Sequence, residues 1–285
     1  PNPNYRPSNK IDYIDKEIAT KNIPSSYQLY LPGPILNQGN FGTCATFSVL
    51  GLMANSKNTF RYSNDITPPF TPSTSCFLQM LMTNGINAWD GYWPSPAFEW
   101  LNAKGVINET LGQTGFCNPQ YPTYSTTNAA QKYAPLKVPM DVYVTSSEKI
   151  PAYTMMTQTY PAGGMYALNY IKQQLSDRAG SGTFQRRGYY TLFSFYMSTD
   201  PNVLVKLDGF TYSTWVNPGY IRRNASHAIY AYGYDDNLTV NGQPGVLFLR
   251  NSWGDGHYQD GTSNNGNYLM TYQYFIDNYI PISGM

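Results

Sequence analysis

The chain has 285 residues and a formal net charge of +1, and 12% of its residues are charged. Its hydrophobic fraction of 41% is enough for a folded core, and its many aromatic residues exclude a disordered chain. The basic residues are scattered and do not form the positive cluster that is typical of proteins that bind nucleic acid or anionic membranes. No apolar run approaches the roughly 20 residues of a membrane-spanning helix, so we expect neither nucleic acid nor a membrane among its partners.

Residues 1–34 are polar and proline-rich, and we expect them to form an N-terminal arm. We expect residues 1–285 to fold as one domain, with a helical lobe over residues 35–137 and a strand-rich lobe over residues 138–285. Because the chain begins with proline rather than methionine, we also expect that an upstream segment, which could have contained an export signal, has been removed or left out.

The segment that leads to Cys44 predicts a glycine-containing loop followed by a helix. Thr43 is a suitable N-cap, and apolar residues then recur at intervals of three and four. In a first helical turn, unpaired N–H groups and the helix dipole would favour the thiolate of Cys44. Gly42 lets the backbone approach a substrate, and the side chain of Gln38 could join the Cys44 N–H in an oxyanion hole. A lone cysteine on such a helix is usually a buried structural residue, and it is the Gln-Gly before Cys44 and the motifs downstream that favour the catalytic interpretation.

Two further helices are predicted, at residues 96–104, ended by Gly105, and at residues 165–177. Gly91 lies in a loop before the first of them, where we expect main-chain groups to bind substrate. Three cysteines leave at least one thiol unpaired. Cys76 and Cys117 could form a disulfide, because an exported protein would oxidise a close pair of cysteines, and Cys44 would then be free. The alternative, which the sequence leaves open, is that all three thiols are free.

The second half of the chain is rich in strand-forming residues. Strands are predicted at residues 189–196, 227–234 and 246–250, and turn residues at 235–237 and 241–242 join the last two in an antiparallel hairpin. A helical first half followed by a strand-rich second half predicts an α+β protein of two lobes, with a site in the cleft between them.

Two residues of this second half are candidates for acid–base chemistry. His227 opens a predicted strand, where an imidazole is well placed as a general base, although a buried structural histidine is the alternative. Asn251 ends the neighbouring strand, and its side-chain oxygen can accept the imidazole N–H and orient the ring. We expect Trp253 to shield that bond from water and Ser226 to border a substrate pocket. His257 is expected in a surface loop, and no zinc-site spacing is present, so we predict no metal and no cofactor.

Together these segments resemble the papain family of cysteine peptidases. Gln-Gly-x-x-Gly-x-Cys at residues 38–44, His-Ala at residues 227–228 and Asn-Ser-Trp-Gly at residues 251–254 occur in the order found in that family. The similarity extends over residues 22–275, with the middle weakly matched. It implies a papain-like fold with a helical lobe, an antiparallel lobe resembling a β-barrel, and an active-site cleft between the two.

The resemblance also implies an activity. Peptide bonds would be hydrolysed through a thioester acyl-enzyme, with Cys44 as nucleophile, His227 as base and Asn251 as its orienting residue. The residues expected at the oxyanion hole and the substrate are Gln38, Gly42, Gly91, Ser226 and Trp253. The implied partner is a polypeptide substrate, and a pro-segment or protein inhibitor could occupy the same cleft. The protein is expected to be an exported monomer of bacterial type.

The sequence departs from the family in two respects. The family signature Cys-Gly-[Ser/Ala]-Cys-[Trp/Tyr] has Phe41 in place of its first cysteine and Ala45 in place of its aromatic residue. We therefore expect the local disulfide and the hydrophobic wall to be replaced by other packing. The spacing from cysteine to histidine exceeds the family's roughly 130–150 residues, which predicts insertions at residues 138–164, 179–187 and 237–245.

Two other functions are compatible with the same residues. The chain could be a binding or effector module on a papain-like fold with weak or no hydrolysis, or a thiol acyltransferase in which an amine replaces water. The presence of Gln38, Cys44, His227 and Asn251 together favours a peptidase, because a chain released from catalysis would be free to lose any of them.

Overall fold

The computed structural model describes residues 23–61, 69–117, 136–149, 163–177, 188–197, 201, 203–217, 225–256 and 262–280. The helices of this part are α1 (Cys44–Arg61), α2 (Thr74–Thr83), α3 (Pro94–Lys104), α4 (Glu109–Leu111), a π-helical turn (Gly112–Phe116), α5 (Met140–Thr145), α6 (Gly163–Ser176) and α7 (Tyr272–Asn278). Its strands are β1 (Ser26–Gln28), β2 (Thr191–Met197), β3 (Val203–Leu207), β4 (Phe210–Trp215), β5 (Ala225–Val240), β6 (Gln243–Arg250) and β7 (Asn267–Thr271). Helices dominate the first half and strands the second, so the predicted α+β class is confirmed.

The three predicted helices are present with small shifts at their ends. α1 begins at Cys44, where the Phe47 N–H donates to the Thr43 carbonyl at 3.1 Å and closes the first turn. α3 begins two residues before its predicted start, at Pro94, because proline is favoured in a first helical turn. α2 was not predicted, since residues 75–81 are all buried and therefore show no alternation of polar and apolar positions.

The first half of the chain is organised around one hydrophobic cluster. It contains Leu50 and Met53 of α1 and Phe77 of α2, and it extends to Tyr143 of α5. Cys76 and Cys117, both fully buried in this cluster, form a disulfide with their Cα atoms 5.3 Å apart. The bond ties α2 to the end of the π-helical turn and leaves Cys44 as the free cysteine.

The seven strands form one sheet in the order β1-β5-β6-β7-β4-β3, and β2 also pairs with β5. Two details differ from the predicted antiparallel, barrel-like lobe. The sheet is mixed, because β4 joins the outer edge of β7 in the parallel direction rather than through a tight turn. Over the described strands it is also open rather than closed into a barrel.

The predicted β5–β6 hairpin is present, but only one of its two predicted turns is a turn. Asn241 and Gly242, with φ of 49° and 75°, connect the strands in the left-handed conformation that two-residue hairpin loops require. Asp235, Asp236 and Asn237 instead lie within β5, where the register with β6 shifts between Asp235 and Thr239. The polar run therefore marks an irregularity within a long strand, at the start of the predicted insertion at residues 237–245.

β3 and β4 were not predicted, although Asp208-Gly209 between them is a hairpin signal that the sequence carries. β1 lies within the predicted N-terminal arm and pairs with β5, so this part of the arm belongs to the sheet. Residues 1–22 of the arm and the predicted insertion at 179–187 lie outside the described residues.

A second hydrophobic cluster lies on the sheet and is covered by α6 and α7. Leu168 and Ile171 of α6 and Phe275 of α7 pack there with Phe195 of β2 and Trp215 of β4. The division of the chain into lobes at residue 138 stays a prediction. Tyr143, which follows that residue, packs in the first cluster.

Of the helices described, none combines the length and apolar character that a membrane crossing requires.

The disulfide predicts the thiol count of the unfolded protein. We expect one thiol per chain to react when the protein is denatured without reductant, and three after reduction. Because the bond closes a loop between residues 41 positions apart, its removal in Cys117→Ser should lower the free energy of unfolding by about 2–4 kcal/mol. Three reactive thiols before reduction would contradict the bond.

Candidate active site

Three parts of the chain meet near the first residue of α1: the loop before it, the start of β5 and the segment after β6. The Gln38 N–H donates to the Ser252 carbonyl at 2.7 Å, and Asn37 forms an isolated bridge with Trp253. On the other side, the Ser48 hydroxyl of α1 donates to the Ala228 carbonyl of β5 at 2.7 Å. The two hydrophobic clusters are therefore joined by hydrogen bonds around Cys44.

His227 and Asn251 form a buried hydrogen bond, with 2.8 Å between the imidazole Nε2 and the amide Oδ1. The last pair of the β5–β6 ladder is Tyr230 with Arg250. His227 and Asn251 lie just beyond this end of the ladder, one on each strand's continuation. Asn251 Oδ1 also accepts the Ser252 N–H at 2.8 Å, which identifies it as the oxygen. An amide oxygen can only accept, so Nε2 carries a proton and Nδ1 is the basic atom of the neutral ring.

Aromatic rings enclose this hydrogen bond. The Trp253 ring lies against the His227 ring with their centroids 4.8 Å apart and their planes 31° apart. Phe195 meets His227 edge-on at 5.8 Å, and Trp253 in turn contacts Trp215 at 5.8 Å. His227 and Asn251 are only 4% and 2% exposed, so little water reaches the bond. Trp253 is thus placed where it covers the histidine, and its contact with substrate stays a prediction.

Gln38 is buried and held at three atoms. Its backbone N–H bonds to Ser252, its Oε1 accepts a short hydrogen bond from the Ser252 hydroxyl, and its Nε2 donates to the Phe41 carbonyl at 2.8 Å. The amide orientation follows from these partners, because Oε1 faces a donor and Nε2 faces an acceptor. Ser252 lies inside the Asn-Ser-Trp-Gly motif, but its contact with Gln38 was not predicted.

The loop that contains Gly91 packs directly on the start of α1. A Cβ atom added to Gly42 would lie 2.8 Å from the Gly91 nitrogen, so only glycine allows this approach of the two backbones. Phe41 meets Trp89 edge-on with ring centroids 5.4 Å apart. Phe41 stands where the family signature has its first cysteine. Its contact with Trp89 holds the loop that contains Gly91 against the start of α1.

Two more predicted positions can be located. Ala45, which replaces the aromatic residue of the family signature, is fully buried. Ser226 is exposed and pairs with Tyr196 beside His227. Its assignment to a substrate pocket stays a prediction, as do the roles of Gly42 and Gly91. His257 lies outside the described residues.

Burial shifts the pKa values of the two candidate catalytic groups in opposite directions. It raises the pKa of the Cys44 thiol, and hydrogen bonds from the backbone of Ala228, Ala45 and Cys44 itself offset only part of that rise. The prediction that the helix terminus lowers this pKa is therefore wrong for the isolated thiol, because loss of hydration outweighs the helix N–H groups. Burial lowers the pKa of His227 to about 4, against the opposing effect of the Asn251 hydrogen bond.

The two shifts together define the protonation of the site. Between about pH 4 and the raised thiol pKa, Cys44 and His227 hold one ionisable proton between them. A thiol beside a neutral imidazole and a thiolate beside an imidazolium contain the same number of protons. Transfer of that proton from sulfur to nitrogen would therefore leave the total charge of the two groups unchanged.

Comparison with known proteins tests the fold. No protein-family model and no curated protein matches the sequence. Among solved structures, xylellain, a cysteine protease from Xylella fastidiosa, is 18% identical over 99% of this chain and 91% of its own, with a TM-score of 0.57. The proform of Amb a 11, a ragweed pollen cysteine protease, is 14% identical over 95% of this chain and 70% of its own, with a TM-score of 0.53. The chain has a papain-like fold.

A third solved structure, digestive procathepsin L2 from the larval midgut of Tenebrio molitor, shares the papain-like fold at 17% identity and a TM-score of 0.52, over 92% of this chain and 69% of its own. At such identities the likeness concerns the fold, and the site depends on this chain's own geometry. In the papain-like fold described here, Cys44 begins the helix that contacts β5, and β5 and β6 present His227 and Asn251.

The burial of His227 predicts an acid-sensitive stability. Below pH 6.5 the histidine of the unfolded chain binds a proton, whereas His227 in the folded chain does not until about pH 4. The free energy of unfolding should therefore fall by up to about 3 kcal/mol as pH drops between these values.

Chemical denaturation of a His227→Gln variant across this pH range should show a shallower slope. His257→Gln, which alters the other histidine of the chain, is the matched control and should keep the wild-type slope. A slope that follows His257 instead of His227 would contradict the assignment.

Proposed function

We propose that this protein is a cysteine peptidase that hydrolyses peptide bonds through a thioester acyl-enzyme. The observation that carries the proposal is the buried 2.8 Å hydrogen bond between His227 Nε2 and Asn251 Oδ1, next to the strand residue that contacts Cys44. It leaves Nδ1 as the basic atom of a ring that is neutral above about pH 4. A neutral, oriented imidazole is what a general base requires.

Acylation begins with transfer of the Cys44 proton to His227 Nδ1. The sulfur attacks the carbonyl carbon of the scissile peptide bond, and the carbonyl π electrons move to oxygen. The Cys44 N–H and a Gln38 Nε2–H would donate to that oxyanion. The intermediate then collapses, the C–N bond breaks, and the imidazolium gives its proton to the leaving amine, which leaves a thioester on Cys44.

Deacylation repeats these steps with water. His227 Nδ1 accepts a proton from water as its oxygen attacks the thioester carbonyl. The C–S bond then breaks, the product acid is released, and the proton returns from the imidazolium to the sulfur. Asn251 remains bonded to Nε2 throughout, so the ring keeps one orientation for both steps.

The aromatic rings around His227 keep bulk water away from the proposed catalytic groups. Trp253 and Phe195 cover His227, so the imidazolium that forms during the reaction is screened little by water and interacts strongly with the Cys44 sulfur. Ser252 holds Gln38 by two hydrogen bonds and limits the reorientation of its amide. Donors fixed in advance of the reaction are the most effective at stabilising an oxyanion.

The proposed substrate is a polypeptide. Its backbone would lie along the Gly42–Gly91 contact, and its side chains near the leaving group would approach Ser226 and Trp253. We further propose an exported monomer of bacterial type that needs no metal or cofactor. A pro-segment or protein inhibitor could cover the same surface, and the Amb a 11 and Tenebrio structures named above are themselves proforms.

Digestion of a peptide library tests the proposal. We expect wild-type hydrolysis with an acid limb near pH 4, because protonation of His227 removes the base. Cys44→Ala and His227→Ala should abolish turnover, and Gln38→Ala should lower kcat by about 10²–10³-fold. Ser147→Ala, which removes one half-buried hydroxyl in a different part of the fold, is the control and should keep full activity.

The result also separates the alternatives. Turnover that survives in Cys44→Ala would contradict the proposal. Acyl transfer to an added amine with little hydrolysis would identify an acyltransferase, and a wild-type protein with neither activity would be a binding module.

A further inference from the structure

Ser48 lies one turn after Cys44 on α1 and is 1% exposed. Its hydroxyl donates to the carbonyl oxygen of Ala228 at 2.7 Å, a bond between residues 180 positions apart in the chain. Ala228 follows His227 directly and is also buried, at 3% exposure. The bond therefore connects the helix of the nucleophile with the strand of the base.

The sheet leaves the backbone of Ala228 without a strand neighbour on one side. β6 pairs with β5 only as far as Tyr230 opposite Arg250, whereas Ala228 pairs with Ser194 of β2. In an antiparallel strand, the N–H and the C=O of one residue point to the same side. Beyond the end of β6, these two groups of Ala228 need other partners, because buried backbone groups are nearly always hydrogen-bonded.

α1 faces both groups. The carbonyl of Ala228 accepts the hydroxyl of Ser48, and its backbone lies close enough to the Cys44 sulfur to lower the pKa of that thiol against the effect of burial. Residues four apart in a helix lie on the same face, so Cys44 and Ser48 can contact one strand residue together. In effect, one face of α1 takes the place of the missing strand next to His227.

We propose that Ser48 is a positioning residue for the reaction proposed above, holding β5 against α1 so that the His227 ring stays in reach of the Cys44 sulfur. Asn251 fixes the ring at its Nε2, and Ser48 fixes the strand that bears the ring. Proton transfer depends steeply on the distance between the two heavy atoms, and a displacement of about 1 Å can lower a rate by about 10²-fold.

A positioning role and a merely structural role predict different results. If the bond only stabilises the fold, its loss lowers the unfolding temperature and leaves the folded protein fully reactive. If it positions His227, its loss also lowers kcat with little change in KM. It then slows alkylation of Cys44 by iodoacetamide at pH 6, because the thiolate depends on the imidazole.

The test compares wild type with Ser48→Ala, Ser48→Thr and Ser48→Val. Thr retains the hydroxyl and Val is its isostere without one, so the two share any packing defect and differ in the hydrogen bond. Ser147→Ala, which removes a hydroxyl that donates to the Tyr143 carbonyl at 2.7 Å, is the matched control. We measure kcat, KM, the pH 6 alkylation rate and the unfolding temperature of each.

We expect Ser48→Ala and Ser48→Val to lower kcat and the alkylation rate by about 10–10²-fold, with Ser48→Thr and Ser147→Ala close to wild type. If Ser48→Ala does not fold, the Thr–Val comparison decides. Equal kcat and alkylation rates for Thr and Val would overturn the role of Ser48 while the proposed peptidase stands. If wild type itself shows neither hydrolysis nor alkylation at pH 6, the proposed function fails and the inference fails with it.

Discussion

The site depends on the removal of His227 from water. Burial keeps the imidazole neutral down to about pH 4, and the Asn251 hydrogen bond selects the tautomer whose Nδ1 is basic. The same burial raises the pKa of Cys44, so neither group ionises readily on its own. In the proposed mechanism, charge separation occurs as the proton passes from sulfur to nitrogen, and each new charge stabilises the other. Activation would then be a property of the pair and not of the cysteine alone.

That arrangement requires two hydrophobic clusters to meet with high precision. Cys44 begins the helix that packs in the first cluster, and His227 lies on a strand of the sheet that carries the second. Hydrogen bonds from Ser48 and Gln38 join the helical part to the sheet part. At this boundary the Phe41–Trp89 contact stands at the position where the family signature has a cysteine, and the Phe41 carbonyl accepts a hydrogen bond from the Gln38 amide.

The sequence predicted the elements that carry strong local signals, namely α1, α3, α6 and the β5–β6 hairpin. It missed α2, whose uniform burial hides the helical period, and it read Asp235–Asn237 as a turn because polar residues also occur at strand irregularities. At the site, motif order predicted which residues to examine. Contacts such as Ser48 with Ala228 join residues 180 positions apart, and no local pattern indicates them. The direction of the Cys44 pKa shift also required the burial that only the tertiary structure reveals.

The most direct test is alkylation of the unreduced, folded protein by iodoacetamide across pH, with the adduct mapped by mass spectrometry. We expect selective modification of Cys44 with a rate plateau reaching below pH 7, and loss of that plateau in His227→Ala. Without its partner, a thiol whose pKa is raised by burial is almost entirely protonated at pH 6. An alkylation rate that rises only at alkaline pH, and is the same with and without His227, would contradict the proposed activation of Cys44 by His227.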